Sequence, residues 1–74
     1  MWVRVKLFGG LREGRFTVKD IETCRTATVN DIVEKLGIES QEVGVTMINS
    51  RHCSMGCTLN NGDQVAIFPM IGGG

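Results

Sequence analysis

The sequence predicts an α+β domain, in which a mixed β-sheet is covered on one face by one short helix. Alternating apolar and polar residues near both ends of the chain are typical of half-buried strands, and between them the period changes to that of an amphipathic helix. A chain of 74 residues has room for one domain with a modest core. The other face of the sheet is left free to contact another molecule.

A first strand is predicted where Val3, Val5 and Leu7 alternate with charged residues and a phenylalanine. Several glycines then interrupt the alternation, and a second strand follows from about Phe16. Residues 1–22 are therefore expected to form a hairpin.

A short helix is predicted by apolar residues that recur at i, i+3, i+4 and i+7, namely Val29, Ile32, Val33 and Leu36. Thr28 is suited to the N-cap, because its hydroxyl can accept a hydrogen bond from the backbone N–H three residues on. Asp31 adds negative charge to the first turn, and Gly37 supplies a C-terminal stop. A helix of about nine residues is too short to persist alone, so its apolar stripe must pack on the sheet.

The second half of the chain predicts two further strands. Residues 43–48 are rich in β-branched side chains and indicate a third strand. Asn49 and Ser50 are typical turn residues, and a short edge strand is expected around His52. A strong turn signal at residues 60–63 precedes a last strand over residues 64–68.

Pro69 has no N–H to donate to a neighbouring strand, so regular pairing is expected to stop there. We therefore assign residues 1–69 to the sheet-and-helix domain and residues 70–74 to a flexible C-terminal tail.

The charge balance argues against two classes of partner. Eight Lys and Arg residues offset eight Asp and Glu residues, so no overall field attracts nucleic acid or an anionic membrane. Charged residues near the N-terminus leave no apolar run long enough for a signal peptide or a membrane-spanning helix. We expect a cytoplasmic protein that binds neither nucleic acid nor membrane.

Cys24, Cys53 and Cys57 are the candidates for metal or redox chemistry. Three cysteines cannot all pair within one chain, and the composition is not that of a disulfide scaffold, so a reducing compartment is expected. His52 lies beside Cys53, but a Cys-x3-Cys spacing without a second ligand pair does not complete a four-ligand zinc site. The sequence predicts no metal site and favours a structural role for these residues.

Four segments occur in an order that resembles a known family: VKLFGGLRE near the start, TVNDIVEKLGI in the helix, LNNGDQVAIFP in the last hairpin, and a terminal Gly-Gly. Together they are similar to the ubiquitin-like sulfur carriers, which include the small subunit of molybdopterin synthase and the thiamine sulfur carrier. Each segment alone occurs in many folds, whereas the ordered set covers most of the chain. The resemblance implies a β-grasp fold.

The resemblance also implies that the functional group is the carboxylate of Gly74. In this family an activating enzyme of the ubiquitin-E1 type binds ATP and magnesium and adenylates that carboxylate, which a sulfur nucleophile then converts to a thiocarboxylate. Gly72 and Gly73 lack Cβ atoms, so an extended tail can thread a narrow channel in a partner. The chain itself is then a co-substrate that binds no cofactor, and not an enzyme. Terminal disorder is the alternative explanation of the glycines.

Strand parity predicts the partner surface. Phe8 and Phe68 are expected on the face of the sheet opposite the helix, and they are neighbours if the first and last strands pair, as in the β-grasp fold. With Pro69, and with Arg12 from the LRE match, they are the predicted contacts. The partners implied are the activating enzyme and a sulfur-accepting synthase subunit or biosynthetic enzyme.

Two departures from the family leave the receiving pathway open. The residues between Leu36 and Val43 are too few for the second helix of the molybdopterin-type carrier, and the segment 69–72 lacks the usual second proline. The sulfur acceptor is therefore undecided among molybdenum or tungsten cofactor, thiamine, amino-acid and tRNA thiolation routes.

Two other functions remain open from the sequence. A ubiquitin-like modifier would use the same activated Gly74 but transfer it to a lysine amine of another protein. A small interaction or metal-binding module would instead use His52, Cys53 and Cys57, and would not depend on Gly74.

Overall fold

The computed structural model describes residues 1–71, and over these residues the chain forms one mixed sheet and one α-helix. The elements in chain order are β1 (Trp2–Leu7), β2 (Val18–Glu22), α1 (Val29–Lys35), β3 (Val43–Ile48), β4 (Arg51–His52) and β5 (Gln64–Pro69). Short 3₁₀ turns lie at Gly9–Arg12 and Ser40–Glu42. No helix within residues 1–71 is long and apolar enough to cross a bilayer.

The strand order in the sheet is β2-β1-β5-β3-β4. The central strands β1 and β5 run parallel, whereas β1 with β2, β3 with β5, and β3 with β4 pair in the antiparallel sense. The core lies between the sheet and α1, where alternate residues of β1 and β5 pack with the apolar stripe of the helix. The predicted α+β architecture, with a mixed sheet covered on one face, is confirmed.

The capping residues of α1 act as the sequence predicts. The hydroxyl of Thr28 accepts a hydrogen bond from the backbone N–H of Asp31 at 3.3 Å, and the Asp31 carboxylate accepts one from the backbone N–H of Thr28 at 2.9 Å. Gly37 follows the helix with a φ of +71°, a left-handed conformation that glycine adopts without steric cost. The helix is thereby held between two fixed ends.

Two turns close the sheet at one end. Asn49 and Ser50 have φ values of 51° and 68°, and this left-handed pair makes the tight turn between β3 and the short edge strand β4. The buried Asp63 carboxylate accepts hydrogen bonds from the Asn49 side chain at 2.9 Å and from the backbone N–H of Asn60 at 2.8 Å. One carboxylate therefore joins the turn before β4 to the turn before β5.

The connection between β1 and β2 differs from a simple hairpin. Residues 9–12 form a 3₁₀ turn that places Leu11 in the core, with 3% of its surface exposed. The second strand begins at Val18 rather than Phe16, which packs against the edge of the core. The glycines that marked this segment as a loop also allow the turn that buries Leu11.

Candidate functional site

The chain leaves the sheet at Pro69, which is enclosed by two glycines. A Cβ atom on Gly9 would lie 2.8 Å from Cγ of Pro69, and one on Gly44 would lie 2.5 Å from the Pro69 carbonyl oxygen. Real Cβ atoms do not approach neighbours this closely, so both positions need glycine for the present packing. The place where the C-terminal segment begins is therefore fixed by residues from two other parts of the chain.

One further hydrogen bond holds the chain after β5. The backbone N–H of Met70 donates to the carbonyl oxygen of Glu42 at 2.8 Å, one residue beyond the proline that ends the strand. The side chains of Met70 and Ile71 are 56% and 84% exposed. The described chain thus ends at the surface, on the side of the sheet that carries no helix.

Phe8 and Phe68 lie together on that open face. Leu7 of β1 pairs with Ile67 of β5, so the residues that follow them are neighbours in space. The two rings stack with their centroids 4.2 Å apart and their planes 10° from parallel, and both side chains are half-buried. The pair lies next to Pro69, where the C-terminal segment begins, and its predicted role in partner binding stays a prediction.

The aromatic pair continues into a shallow apolar groove that the sequence did not predict. Val45 and Met47 of β3 line it together with Phe68, Met70 and His52. A β-bulge between Val43 and Val45 shifts the register of β3, so that Val45 and Met47 point to the open face. The sequence VGVTMI of this strand carried no alternation of polar and apolar residues that would have revealed which of them face outward.

The border of this surface carries basic side chains. Lys6 precedes the aromatic pair on the same face, and Arg12 lies on the 3₁₀ turn that packs against Pro69 through Gly9. The Nε atom of Arg12 donates to the Gly9 carbonyl oxygen at 3.3 Å, and the side chain is exposed. Arg12 thus belongs to the turn whose Gly9 contacts Pro69, and its predicted role in partner binding stays a prediction.

Arg4 and Asp20 form an exposed ion pair farther along the open face, with Arg4 Nε 2.9 Å from Asp20 Oδ1. The hydrogen bond from Arg4 lowers the pKa of the Asp20 carboxyl, and the same bond raises the pKa of the Arg4 guanidinium. Both side chains are about half exposed, so water and salt screen the pair.

The structure corrects the expectation of free cysteines at the edge of the sheet. Cys53 and Cys57 form a disulfide, whereas Cys24 is an exposed free thiol. The physical reason is the tight turn between them, in which the backbone N–H of Cys57 donates to the Ser54 carbonyl oxygen at 3.1 Å. This turn brings the Cα atoms of Cys53 and Cys57 to 6.2 Å, within the range of a disulfide. Within residues 1–71 no three His, Cys, Asp or Glu side chains come together as a possible metal site.

The predicted functional glycines, Gly72, Gly73 and Gly74, lie outside the described residues, so their roles also stay predictions. What the structure adds is the anchoring of the preceding chain at Pro69 and Met70.

Three comparisons place the chain among known proteins. The model of the ThiS family matches residues 5–74. Small archaeal modifier protein 1 (SAMP1) of Haloferax volcanii is 26% identical, with 100% of each chain covered and a TM-score of 0.76. A putative molybdopterin converting factor subunit 1 of Pyrococcus furiosus is 25% identical, with 96% and 99% covered and a TM-score of 0.78.

A third structure, a complex of subunits 1 and 2 of molybdopterin-converting factor from Helicobacter pylori, matches with 22% identity, full coverage of both chains and a TM-score of 0.66. At this identity the likeness shows the fold alone. No curated protein sequence matches the chain. Because the family model matches nearly its whole length and the neighbours share its β-grasp fold, the chain belongs to the ThiS family of ubiquitin-like sulfur carriers.

Proposed function

We propose that this chain carries sulfur as a thiocarboxylate on Gly74. The observation that supports this most strongly is the anchored exit of the chain at Pro69, beside an apolar open face, in a member of the ThiS family. The segment from Gly72 to Gly74 continues from that point and has no side chains to collide with an enclosing enzyme. A chain that is anchored at Pro69 and ends in glycines is suited to presenting one carboxylate to a partner.

The chemistry requires activation, because a carboxylate has no good leaving group. Attack of a Gly74 carboxylate oxygen on the α-phosphate of ATP forms an acyl-adenylate and releases pyrophosphate. A sulfur nucleophile then attacks the carbonyl carbon and displaces AMP. Hydrosulfide gives the thiocarboxylate directly, whereas a persulfide gives an acyl disulfide, from which a thiolate releases the thiocarboxylate by attacking the donor's sulfur and forming a disulfide with it. In this proposal an E1-like enzyme binds the ATP and magnesium, and the carrier is a co-substrate in the cytoplasm.

The open face supplies the docking surface in this proposal. Phe8, Phe68, Val45 and Met47 offer contiguous apolar area, the kind of surface that marks a protein interaction site. Lys6 and Arg12 at its border favour a partner with acidic groups around an apolar centre. The Helicobacter pylori neighbour is a complex of two subunits, which supports a second protein as the sulfur acceptor.

A second candidate function is conjugation to other proteins. The Haloferax volcanii neighbour SAMP1 is named a modifier protein, and the same acyl-adenylate on Gly74 would serve that reaction. A lysine amine, rather than sulfur, would then attack the activated carbonyl carbon and form an isopeptide bond. The receiving pathway is a separate question, on which the proposal names only a sulfur-accepting biosynthetic enzyme.

ATP–pyrophosphate exchange by the activating enzyme of the same host tests the shared first step. We expect exchange that depends on the full chain and disappears when Gly74 is deleted, while the deletion variant keeps the thermal midpoint of the parent protein. Equal exchange with both proteins would overturn the proposal. If Gly74 were found bonded to lysines of other proteins and no thiocarboxylate formed, protein modification would replace sulfur transfer as the proposed function.

A further inference from the structure

The disulfide loop between β4 and β5 presents its two sulfur atoms to different surroundings. Cys53 lines an open groove at the edge of the sheet, together with His52, Ser54 and Thr46. Cys57 instead packs against the core and is absent from that groove. Both side chains are half-buried, but Cys53 alone lines the groove, so a small reagent that enters the groove meets Cys53 first.

The leaving group is also defined by the structure. The Ser54 hydroxyl lies 3.7 Å from Sγ of Cys57, within hydrogen-bonding range for sulfur. In that position it can donate to a thiolate that forms on Cys57, and stabilising the departing thiolate speeds cleavage of a disulfide. The position of Cys53 in the groove and the stabilisation of a thiolate on Cys57 thus both favour attack at Cys53.

Hydrogen bonds hold the loop independently of the disulfide. The backbone N–H of Cys53 donates to the Thr46 carbonyl oxygen at 3.0 Å, and the Thr46 hydroxyl donates to the Cys53 carbonyl oxygen. The first N–H groups of α1, those of Val29 and Asn30, donate to the carbonyl oxygens of Cys57 at 3.1 Å and Met55 at 2.8 Å. Cleavage of the S–S bond would therefore leave both cysteines close to their present places.

We propose that the Cys53–Cys57 disulfide is a directional thiol–disulfide exchange site for a small sulfur nucleophile, either a low-molecular-weight thiolate or hydrosulfide. This site goes beyond the proposed thiocarboxylate function and does not depend on Gly74.

The reaction balances with that nucleophile alone. A thiolate RS⁻ attacks Sγ of Cys53 and forms a new S–S bond, while the Cys53–Cys57 bond breaks and its electron pair leaves on Sγ of Cys57. The products are a mixed disulfide on Cys53 and a thiolate on Cys57. With hydrosulfide the same step leaves a persulfide on Cys53. A second thiolate can attack the mixed disulfide and release Cys53 as a thiolate.

Peptide mass mapping tests the proposal. The full chain carries Cys24→Ser to remove the exposed free thiol, is oxidised mildly, and is treated with glutathione or hydrosulfide under native conditions. Rapid alkylation then traps the products. We expect adducts on Cys53 and alkylated Cys57, with the Cys53 adduct in excess by about tenfold. The two nucleophiles are distinguished by the mass that each adds to Cys53.

Two variants test whether the Ser54 hydroxyl, and not the exposure of Cys53 alone, directs the attack to Cys53. Ser54→Ala removes the hydroxyl near Cys57 and should slow the reaction several-fold, whereas Thr58→Ala removes an exposed hydroxyl from the same loop region and should leave the rate unchanged. Equal adducts on both cysteines, attack at Cys57, or reaction only after denaturation would each overturn the proposal. Failure of Cys53 and Cys57 to pair under mild oxidation would do so as well.

Discussion

The two faces of the sheet differ in what covers them, although the same strands build both. On the helix side, Val5, Val65 and Ile67 are fully buried, whereas on the open side Phe8 and Phe68 are half-buried and stack on each other. Side chains alternate along β5, and along β1 and the residue that follows it, so each of these segments divides its side chains between the two faces. The fold depends on one half of these positions, and the proposed partner surface uses the other half.

The largest expected effect comes from the covered face. Ile67→Ala removes a fully buried side chain and leaves a cavity, which should lower the free energy of unfolding by about 2–5 kcal/mol. Phe68→Ala, one residue on, should cost only about 1 kcal/mol, because it removes a half-buried ring and its stacking. Urea unfolding measures both values. Equal losses at the two positions would break the distinction between the faces.

The second prediction concerns binding, for which Phe68 on the open face should matter more than an exposed residue elsewhere. Phe68→Ala should weaken binding to the activating enzyme by about 30-fold, equivalent to about 2 kcal/mol, because it removes an aromatic contact at the centre of the apolar surface. The control Lys19→Ala changes an exposed residue that pairs with Val5, outside the open face, and should alter the affinity by less than about twofold. Titration calorimetry with the folded variants measures both. Similar losses would show that Phe68 lies outside the interface.

The third prediction concerns the exit of the chain. Gly44→Ala places a methyl group against the Pro69 carbonyl oxygen and should destabilise the protein by about 1–3 kcal/mol. Gly10→Ala adds the same methyl group where no atom lies within 4 Å, and its effect should stay within about 0.5 kcal/mol. Thermal unfolding of the two variants makes the comparison. If Gly44→Ala left the stability unchanged, the chain around Pro69 would shift at little energetic cost and would not be firmly anchored.

The smallest expected effect is the pH response of the Arg4–Asp20 pair. Because the folded protein lowers the pKa of Asp20, its ionised form stabilises the fold above the ordinary pKa of an aspartate. This contribution is lost as the pH falls through the lowered value. Asp20→Asn should therefore be slightly less stable than the parent at neutral pH and lose that disadvantage in acid. Unfolding midpoints across pH measure the difference, which high salt should reduce; a constant gap would contradict the assignment.

Local signals in the sequence determined much of the covered face. The period of the apolar residues around Ile32 and the cap formed by Thr28 and Asp31 act over one or two helical turns, so they can be read without the tertiary structure. The positions of Phe8 and Phe68 needed one long-range assumption, that β1 and β5 pair. The resemblance to a β-grasp family supplied that assumption.

The remaining features depend on contacts that a local pattern does not contain. The β-bulge that turns Val45 outward arises from the pairing of β3 with β5, and the enclosure of Pro69 joins glycines from two distant segments. The disulfide between Cys53 and Cys57 required knowing that the loop makes a tight turn. The odd number of cysteines argued against a disulfide, and for Cys53 and Cys57 that argument was wrong.

Mass spectrometry of the C-terminal peptide tests the central claim most directly. The parent protein and the Phe68→Ala variant are each incubated with the activating enzyme, ATP, magnesium and a sulfur donor, and the peptide containing Gly74 is fragmented. We predict that sulfur replaces one carboxylate oxygen of Gly74 in the parent protein, and that the variant shows much slower replacement. An unchanged carboxylate after demonstrated adenylation, or equal conversion of both proteins, would contradict the assignment of a thiocarboxylate carrier that docks through its open face.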